Sequence, residues 1–587
     1  MPFEPETFTD ACIAREYRTL RILDELASEA SVEQPVYTDI DQQSALAKII
    51  DILDDNGSLA FASLISDPPP GALAYDGHLV SIIIVSLDIF AALSNAAHFP
   101  HNRRLDMTMR TLWPHVVRWG AVLHPARGRL IRAPGDTRRN VTAVVQAYLS
   151  IFKTPDIAYL RCFLHGNPDA VAQTFELWLR FPYHCLKSAI QEASRTVDGV
   201  ITLFVILDNI LLNYATTTDR ALFEDELFLT IGDLRTLYHT VSRQTRFLVE
   251  LTVKSATACG HWSEHFSLLA RCLCVCLPRC PRRPRVPKKA IFSIVSAAKL
   301  CVKIQAPRDA ALRALGLLTS LCRAVTSNRP LAHAVDAGVF DLLRDLGRPS
   351  SDSHDVTEFI RQLCGGLFHP RVSRAFNRRH PDVPRVAPSP ARAEPGHIPD
   401  WQDVALLWSS FLRPYVEAYD ARSAKLTTSW RFTTACLNPC GPHNRLVRVC
   451  PCGTAFYCSG SCQKMHWPIH REFCCADQGP WGSNGAITLD DAMFICVLAR
   501  GYISFLRRTM AVEIAAMARS RPDVQISIRI DLCYDVLPVP RHTIHAYSED
   551  AMRPVHGKVM VEALLRVGAA RPRQPLPFGY ALEYFEL

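Results

Sequence analysis

Eight of the chain's 21 cysteines lie between Cys436 and Cys475, together with His443, His466 and His470. Thiolates and imidazoles at such short spacing can converge on one Zn²⁺ without closing a long loop. The window contains few aliphatic side chains, so it cannot bury enough apolar surface to fold alone. Metal binding, worth about 10–16 kcal/mol for a structural zinc site, would supply the missing stability.

The order of these residues is specific. From residue 436 to residue 474 the sequence reads C-x3-C, C-x-C, YC-x3-CQ and W-x2-H-x3-C. This order resembles the MYND zinc finger, whose pattern has two cysteine pairs followed by the same two motifs. The resemblance covers about forty residues, a small part of a chain of 587. Reduced core thiols or disulfide-bonded cysteines are the alternative for such a cluster.

A MYND finger binds two zinc ions in an interleaved arrangement, and the resemblance implies a set of ligands for each ion. The first ion would be held by Cys436, Cys440, Cys458 and Cys462. The second ion would be held by Cys450, Cys452, His470 and Cys474. Cys475 and His466 stay open as substitutes. The C-x-C pair is one residue shorter than the usual C-x2-C, and its Pro451 has no N–H to support a thiolate, so the second site is expected to be weaker.

The resemblance also implies a function. MYND fingers dock short proline-rich peptides beside the second half of the finger, and the groove residues of the family match Gln463 and Trp467. An extended proline-rich segment loses little entropy on binding and packs well on an aromatic ring. The alternative for Trp467 is a ring that packs against its own finger. We therefore expect a zinc-binding adaptor whose partners are proteins with proline-rich motifs.

Two other classes of function fit the sequence less well. MYND fingers also occur in SET-type lysine methyltransferases, but the chain shows no Asn-His motif of the NH-x-C type and no Gly-x-Gly stretch for the methyl donor. Serine hydrolase, Walker and HExxH motifs are also missing, so the chain is predicted not to be an enzyme. Nucleic-acid binding is disfavoured because the finger mixes Glu472 with its basic residues and has no basic helix face.

The composition indicates the general class of protein. A chain of 587 residues with 48% hydrophobic and 21% charged residues predicts two to four globular domains, and the net charge of +8 is mild. The other cysteines are mostly scattered singly, as reduced core thiols are, and the first twenty residues predict no signal peptide. An intracellular protein of the cytoplasm or nucleus is expected. Apolar stretches from Leu79 and Val200 contain Asp88 and Asp208, so buried helices are favoured over membrane spans.

The expected fold class is mainly α. Apolar residues recur at three and four positions through most of the first 348 residues, which predicts helix after helix. Residues 307–347 resemble an armadillo repeat, with Gly338 allowing a sharp turn between packed helices. An irregular helical domain is the alternative. In the cluster Cys272, Cys274, Cys276 and Cys280, core thiols are favoured over a second metal site because alternate residues of a helix point apart.

The predicted organisation has six parts. They are an N-terminal segment at 1–35, a helical armadillo-like domain at 36–348, a Pro/Arg/Ser-rich linker at 349–400, a connecting helix at 401–430, the finger at 436–475 and a C-terminal α+β unit at 484–587. In the last unit, alternation of apolar residues predicts a strand over 524–530. A return strand is predicted at 543–547 and a helix near 558–567.

Overall fold

The structure is a computed structural model of the chain that divides into two compact units, Met1–Cys280 and Pro281–Leu587. The described residues are 10–30, 39–71, 73–74, 77–97, 103–124, 127, 130–131, 138–153, 167, 169–185, 189–213, 217–254, 261–281, 283–304, 308–325, 327–347, 354–384, 398–424, 438, 448–450, 456–471, 489–521, 524–532, 540–547, 558–566 and 573–585.

The described part of the first unit is helical apart from one short strand pair. The helices are α1 (Asp10–Ala30), α2 (Asp39–Ala60), α3 (Ala62–Ile65), α4 (His78–Ala97), α5 (Arg103–Leu123), α6 (Arg138–Phe152), α7 (Asp169–His184), α8 (Ile190–Asn213), α9 (Thr217–Ile231), α10 (Leu234–Lys254) and α11 (Trp262–Arg279). The two-residue strands β1 (Leu73–Ala74) and β2 (Leu130–Ile131) pair in parallel. The predicted succession of helices is confirmed in this unit.

Large buried rings fill the core of the first unit. Trp113 packs edge-on against Tyr148, with ring centroids 5.3 Å apart. The Tyr148 hydroxyl donates to the Gln173 side-chain oxygen at 2.6 Å, and the Gln173 amide nitrogen donates to the Val117 carbonyl at 3.1 Å. Buried polar groups must find partners in this way, because leaving one unsatisfied costs about 1–3 kcal/mol. This network fixes α5, α6 and α7 to one another.

One described helix is long and apolar enough to cross a membrane, and it covers residues 78–96. It packs between α1 and α6, and 67% of the stretch is buried. Asp88 lies within this helix, and burial raises the pKa of its carboxyl to about 6.

The second unit begins with helices and ends with a sheet. Its helices are α12 (Lys288–Lys303), α13 (Arg308–Arg323), α14 (Arg329–Asp336), α15 (Val339–Leu346), α16 (His354–Leu367), α17 (Pro370–Arg379), α18 (Trp401–Leu406), a π-helical turn (Leu407–Leu412), α19 (Arg413–Ala424), α20 (Gly460–His470), α21 (Leu489–Phe505) and α22 (Arg507–Ser520). Helix α18 begins at a capping box. The Asp400 side chain accepts from the Asp403 backbone N–H, and the Asp403 side chain accepts from the Asp400 backbone N–H.

The turn between α14 and α15 is made by Gly338, as the sequence predicts. Its φ of +87° is in the left-handed region that favours glycine. A β-carbon at this position would also collide with the Lys299 ammonium and crowd the Asp341 carboxylate. Glycine is therefore required by the backbone conformation, and the ion pair of Lys299 with Asp341 lies close against it.

A four-stranded sheet closes the second unit. Its strands are β5 (Gln525–Asp531), β6 (Arg541–Tyr547), β7 (Lys558–Leu564) and β8 (Arg573–Ala581), in the order β6-β5-β7-β8. Strand β5 pairs antiparallel with β6 and parallel with β7, and β7 pairs antiparallel with β8. The α+β character of this region and its first two strands are confirmed. The helix predicted near 558–567 is wrong, because β7 pairs on both of its edges.

The described elements also differ from the predicted division of the chain. The two units meet at residues 280 and 281, within the predicted helical domain of 36–348. Within the predicted linker of 349–400, α16 coincides with the helix that the sequence predicts at 354–368, whereas α17 was not predicted; many residues of both helices are buried. Of the arginines in the stretch that indicated a linker, Arg378 pairs with Asp336 at 2.8 Å. Helix α1 occupies most of the predicted N-terminal segment.

Candidate metal centre

A short hairpin and one helix position the described candidate ligands. Strand β3 (Arg448–Val449) pairs antiparallel with β4 (Phe456–Tyr457), with Val449 opposite Phe456 and Arg448 opposite Tyr457. Cys450 follows β3 at one end of the hairpin, and Cys458 follows β4 at the other end. Helix α20 then begins two residues after Cys458 and ends at His470. The chain therefore separates its candidate ligands into two groups.

The first group is at the start of α20. The Cys458 and Cys462 sulfurs lie 3.4 Å apart, and both side chains are buried. Two sulfurs on one tetrahedral Zn²⁺ lie about 3.8 Å apart, given Zn–S bonds of about 2.3 Å. The pair therefore fits a zinc ion after a shift of a few tenths of an ångström. Ser459 caps the helix by accepting from the Cys462 N–H at 3.1 Å. The positive end of α20 favours thiolates at this place.

The second group is at the end of α20. The His470 Nε2 atom lies 3.3 Å from the Cys450 sulfur, and both side chains are buried. Burial lowers the pKa of His470, with a smaller contribution from the positive form of His466. A neutral imidazole is the form that binds a metal. A thiolate and an imidazole this close are also spaced for one tetrahedral ion.

The two groups are too far apart to share an ion. Cys462 and His470 are separated by eight residues on one helix, which corresponds to about 12 Å along its axis at 1.5 Å per residue. Each described group supplies two donors. Accordingly, the described part of the chain contains no cluster of three or more metal-binding side chains. The other predicted ligands, Cys436, Cys440, Cys452 and Cys474, lie outside the described residues, as does Cys475.

Tyr457 connects the two groups. It is buried, its ring packs on the His470 ring at 6.0 Å, and its hydroxyl lies 2.8 Å from the His466 Nδ1 atom. His466 is therefore engaged through Nδ1 with a side chain of the hairpin. Sequence reasoning included Tyr457 only as part of the YC motif; its position next to both histidines shows that it orients them.

A comparison with protein-family models gives one match: the model described as MYND finger matches residues 436–474. The chain carries a MYND finger. MYND fingers bind zinc and mediate protein–protein interactions, and the module itself is not catalytic. No curated protein matches the chain.

The predicted peptide-binding residues lie on the outer side of the MYND finger's helix. Gln463 and Trp467 are four residues apart on α20, so their side chains are neighbours on one side of it. Gln463 is half-buried, and 43% of Trp467 is exposed. The Trp467 ring also makes an edge contact with His470 at 5.8 Å. Trp467 thus packs on its own finger and faces solvent at the same time.

The second cysteine cluster, on α11, is dispersed. Cys272 and Cys276 are buried, whereas Cys274 is exposed. Burial raises the pKa of the Cys276 thiol to about 12 and holds the pKa of the Cys272 thiol well above its usual value. Thiols with such pKa values stay protonated at neutral pH and are poor metal ligands. These two residues pack as core thiols.

Proposed function

We propose that the chain is a zinc-dependent adaptor, without catalytic activity of its own, whose MYND finger docks proline-rich peptides of partner proteins. The observation that supports this best is Trp467, a large aromatic side chain that is held by His470 and still 43% exposed. An aromatic ring with one end fixed and one face open is a typical anchor for a partner chain.

The position of Gln463 supports the same role. Side chains four residues apart on a helix are separated by about 40° around its axis. Gln463 thus presents an amide beside the Trp467 ring, on a helix anchored at both ends by candidate zinc ligands. A peptide in the polyproline II conformation leaves its backbone carbonyls without internal partners, so an amide N–H can bind one of them.

The metal content belongs to the proposal as well. We infer two zinc ions, the first held by Cys436, Cys440, Cys458 and Cys462, and the second held by Cys450, Cys452, His470 and Cys474. In support, the described members of each set are the ones that lie in contact, at 3.4 Å and 3.3 Å. Zinc would supply most of the folding free energy of a segment this poor in apolar residues.

Replacing Trp467 by Ala is expected to weaken peptide binding about 30-fold, because an aromatic anchor contributes about 2 kcal/mol. Gln463→Ala should reduce the free energy of peptide binding by about 1 kcal/mol, the usual contribution of one hydrogen bond. The measurement is fluorescence anisotropy of a labelled PxLxP peptide titrated with the full-length chain. Zinc content should stay unchanged in both variants.

Met465 provides the matched control. It lies on the same helix, 55% of it is exposed, and it points about 160° away from Trp467. Met465→Ala should leave the affinity within about twofold of the unaltered chain. A PxLxP peptide that does not bind at all, or that binds equally well to the Trp467 and Met465 variants, would contradict the proposed docking surface.

We also propose that residues 308–346 form an armadillo-like unit. Helices α13, α14 and α15 follow one another with short connections, and Gly338 makes the sharp turn between the last two. An experimental structure of the chain tests this: the three helices should superpose on one armadillo repeat. Stacking with a different helix order would leave an irregular helical domain.

A further inference from the structure

A cavity of about 670 Å³ in the first unit has the size of a small-molecule site. It lies where α7 and α9 end and α10 begins, on elements that carry none of the finger's residues. From α10 it receives Thr236, His239, Thr240 and Arg243. These residues are spaced three, four and seven apart, so they form one stripe along the helix.

The lining is basic. Arg180, His184, His239 and Arg243 all border the cavity, and none of the lining residues is acidic. Within the described residues, neither Arg180 nor Arg243 takes part in an ion pair, although many surface arginines of this unit do. Arg246, one turn further along α10, pairs with Glu250 at 3.6 Å. The two guanidiniums of the cavity therefore present charge that the described residues do not neutralise.

The helix ends around the cavity do not cancel this charge. The ends of α7 and α9 each carry about half a negative charge, and the start of α10 carries about half a positive charge. Two guanidiniums outweigh that sum by more than one unit of charge. The carboxylate of Asp233, which caps α10 outside the lining by accepting from the Thr236 backbone N–H at 2.6 Å, subtracts one unit and leaves a net positive charge of about half a unit. The cavity is thus suited to an anion.

The walls also fit a flat ring. The Arg243 guanidinium lies over the Tyr183 ring at 4.3 Å from its centroid, and 51% of Tyr183 is exposed. Stacking of this kind holds a guanidinium in a fixed orientation while its N–H groups remain available. Leu179 and Ile231 add apolar surface to the same cavity. Cations, hydroxyls, an aromatic face and an apolar wall thus meet in one place.

We propose that this cavity binds a small phosphomonoester that carries a flat ring. The dianion would lie between Arg180 and Arg243, because a planar guanidinium donates two parallel hydrogen bonds to phosphate oxygens. The Thr240 hydroxyl can donate to a remaining oxygen. The ring of the ligand would pack on Tyr183 and Leu179.

Isothermal titration of the full-length chain with phenyl phosphate tests the proposal. One saturable site is expected, with no binding of phenol and weaker binding of benzoate. The variant with both Arg180→Gln and Arg243→Gln should lose at least tenfold in affinity. Arg246→Gln, on the same helix but outside the cavity, should stay within twofold.

Both cavity arginines are at least partly exposed, so the double variant is expected to fold, and its circular dichroism verifies this. If it does not fold, Arg243→Gln alone is compared with Arg243→Lys, which keeps the charge and should retain more affinity. Phenyl phosphate that fails to bind, or that binds equally well after loss of the arginines, would overturn the proposal. Benzoate binding as tightly as phenyl phosphate would overturn the phosphate assignment.

Discussion

Two zinc ions per chain are expected in purified protein, and Cys458→Ser should reduce that number to one or none. Serine offers a hydroxyl that binds zinc far more weakly than a thiolate, and a structural zinc site contributes about 10–16 kcal/mol to folding. Because Cys458 lies 3.4 Å from Cys462, the loss of either thiolate removes the described half of the same site. Elemental analysis of the dialysed protein measures the result.

The finger should unfold in this variant while the rest of the chain does not. Circular dichroism should fall only slightly, since α20 is one helix among many, and limited proteolysis should cut close to residues 436–474. Cys274→Ser is the matched control, because that thiol is exposed on α11 and outside the finger. Retention of both ions by Cys458→Ser would contradict the assignment of the first site.

His470→Ala examines the other end of the same helix. It removes the imidazole that lies 3.3 Å from the Cys450 sulfur, while Cys458 and Cys462 keep their spacing about 12 Å away. Zinc content should again fall to one ion or none. If His470→Ala retains two ions, a neighbour such as His466 supplies the ligand, although its Nδ1 atom already contacts Tyr457.

The sequence predicted those parts of the fold that are determined by residues close together along the chain. Buried helices such as α4 and α8 were predicted because each is marked by an apolar stretch contained within a few turns. Gly338 was predicted for the same reason, since a left-handed turn between two helices is a local requirement. The candidate zinc residues also come from spacing along the chain. In the structure Cys458 lies next to Cys462 and Cys450 lies next to His470, and the assignment of ligands to each ion stays a prediction.

The predictions were wrong where contacts between residues far apart in the sequence determine the secondary structure or the burial of a segment. The segment of β7 is rich in residues common in helices, including Met560, Glu562 and Leu564. It is a strand because β5 and β8 occupy both of its edges, and neither contact can be read from the segment itself. Likewise, the arginines of α17 resemble a solvated linker until their partners, such as Asp420 and Asp336, are known. The anion-binding cavity combines three helices and had no signature in the sequence.

Asp88→Asn should stabilise the first unit by about 3 kcal/mol at pH 7.5 and by almost nothing near pH 4. Burial is the main reason that the folded pKa of Asp88 rises from 3.8 to about 6; Arg139 opposes the rise and Asp24 adds a smaller part of it. A pKa that is higher in the folded state means that the native chain binds more protons, so its stability falls as pH rises from about 4 through about 6. At 1.36 kcal/mol per pH unit the total is about 3 kcal/mol. Asparagine keeps the shape without the buried charge, so the gain in stability should grow across this window and be complete above it. Thermal unfolding of both proteins across pH 4–8 measures the difference.

The control is Asp51→Asn at an exposed position, which should show no such pH-dependent gain in stability. A difference that is the same at every pH would mean that folding does not shift the pKa of Asp88, whereas a destabilised Asp88→Asn at pH 7.5 would mean that Arg139 favours the ionised carboxylate in the folded helix.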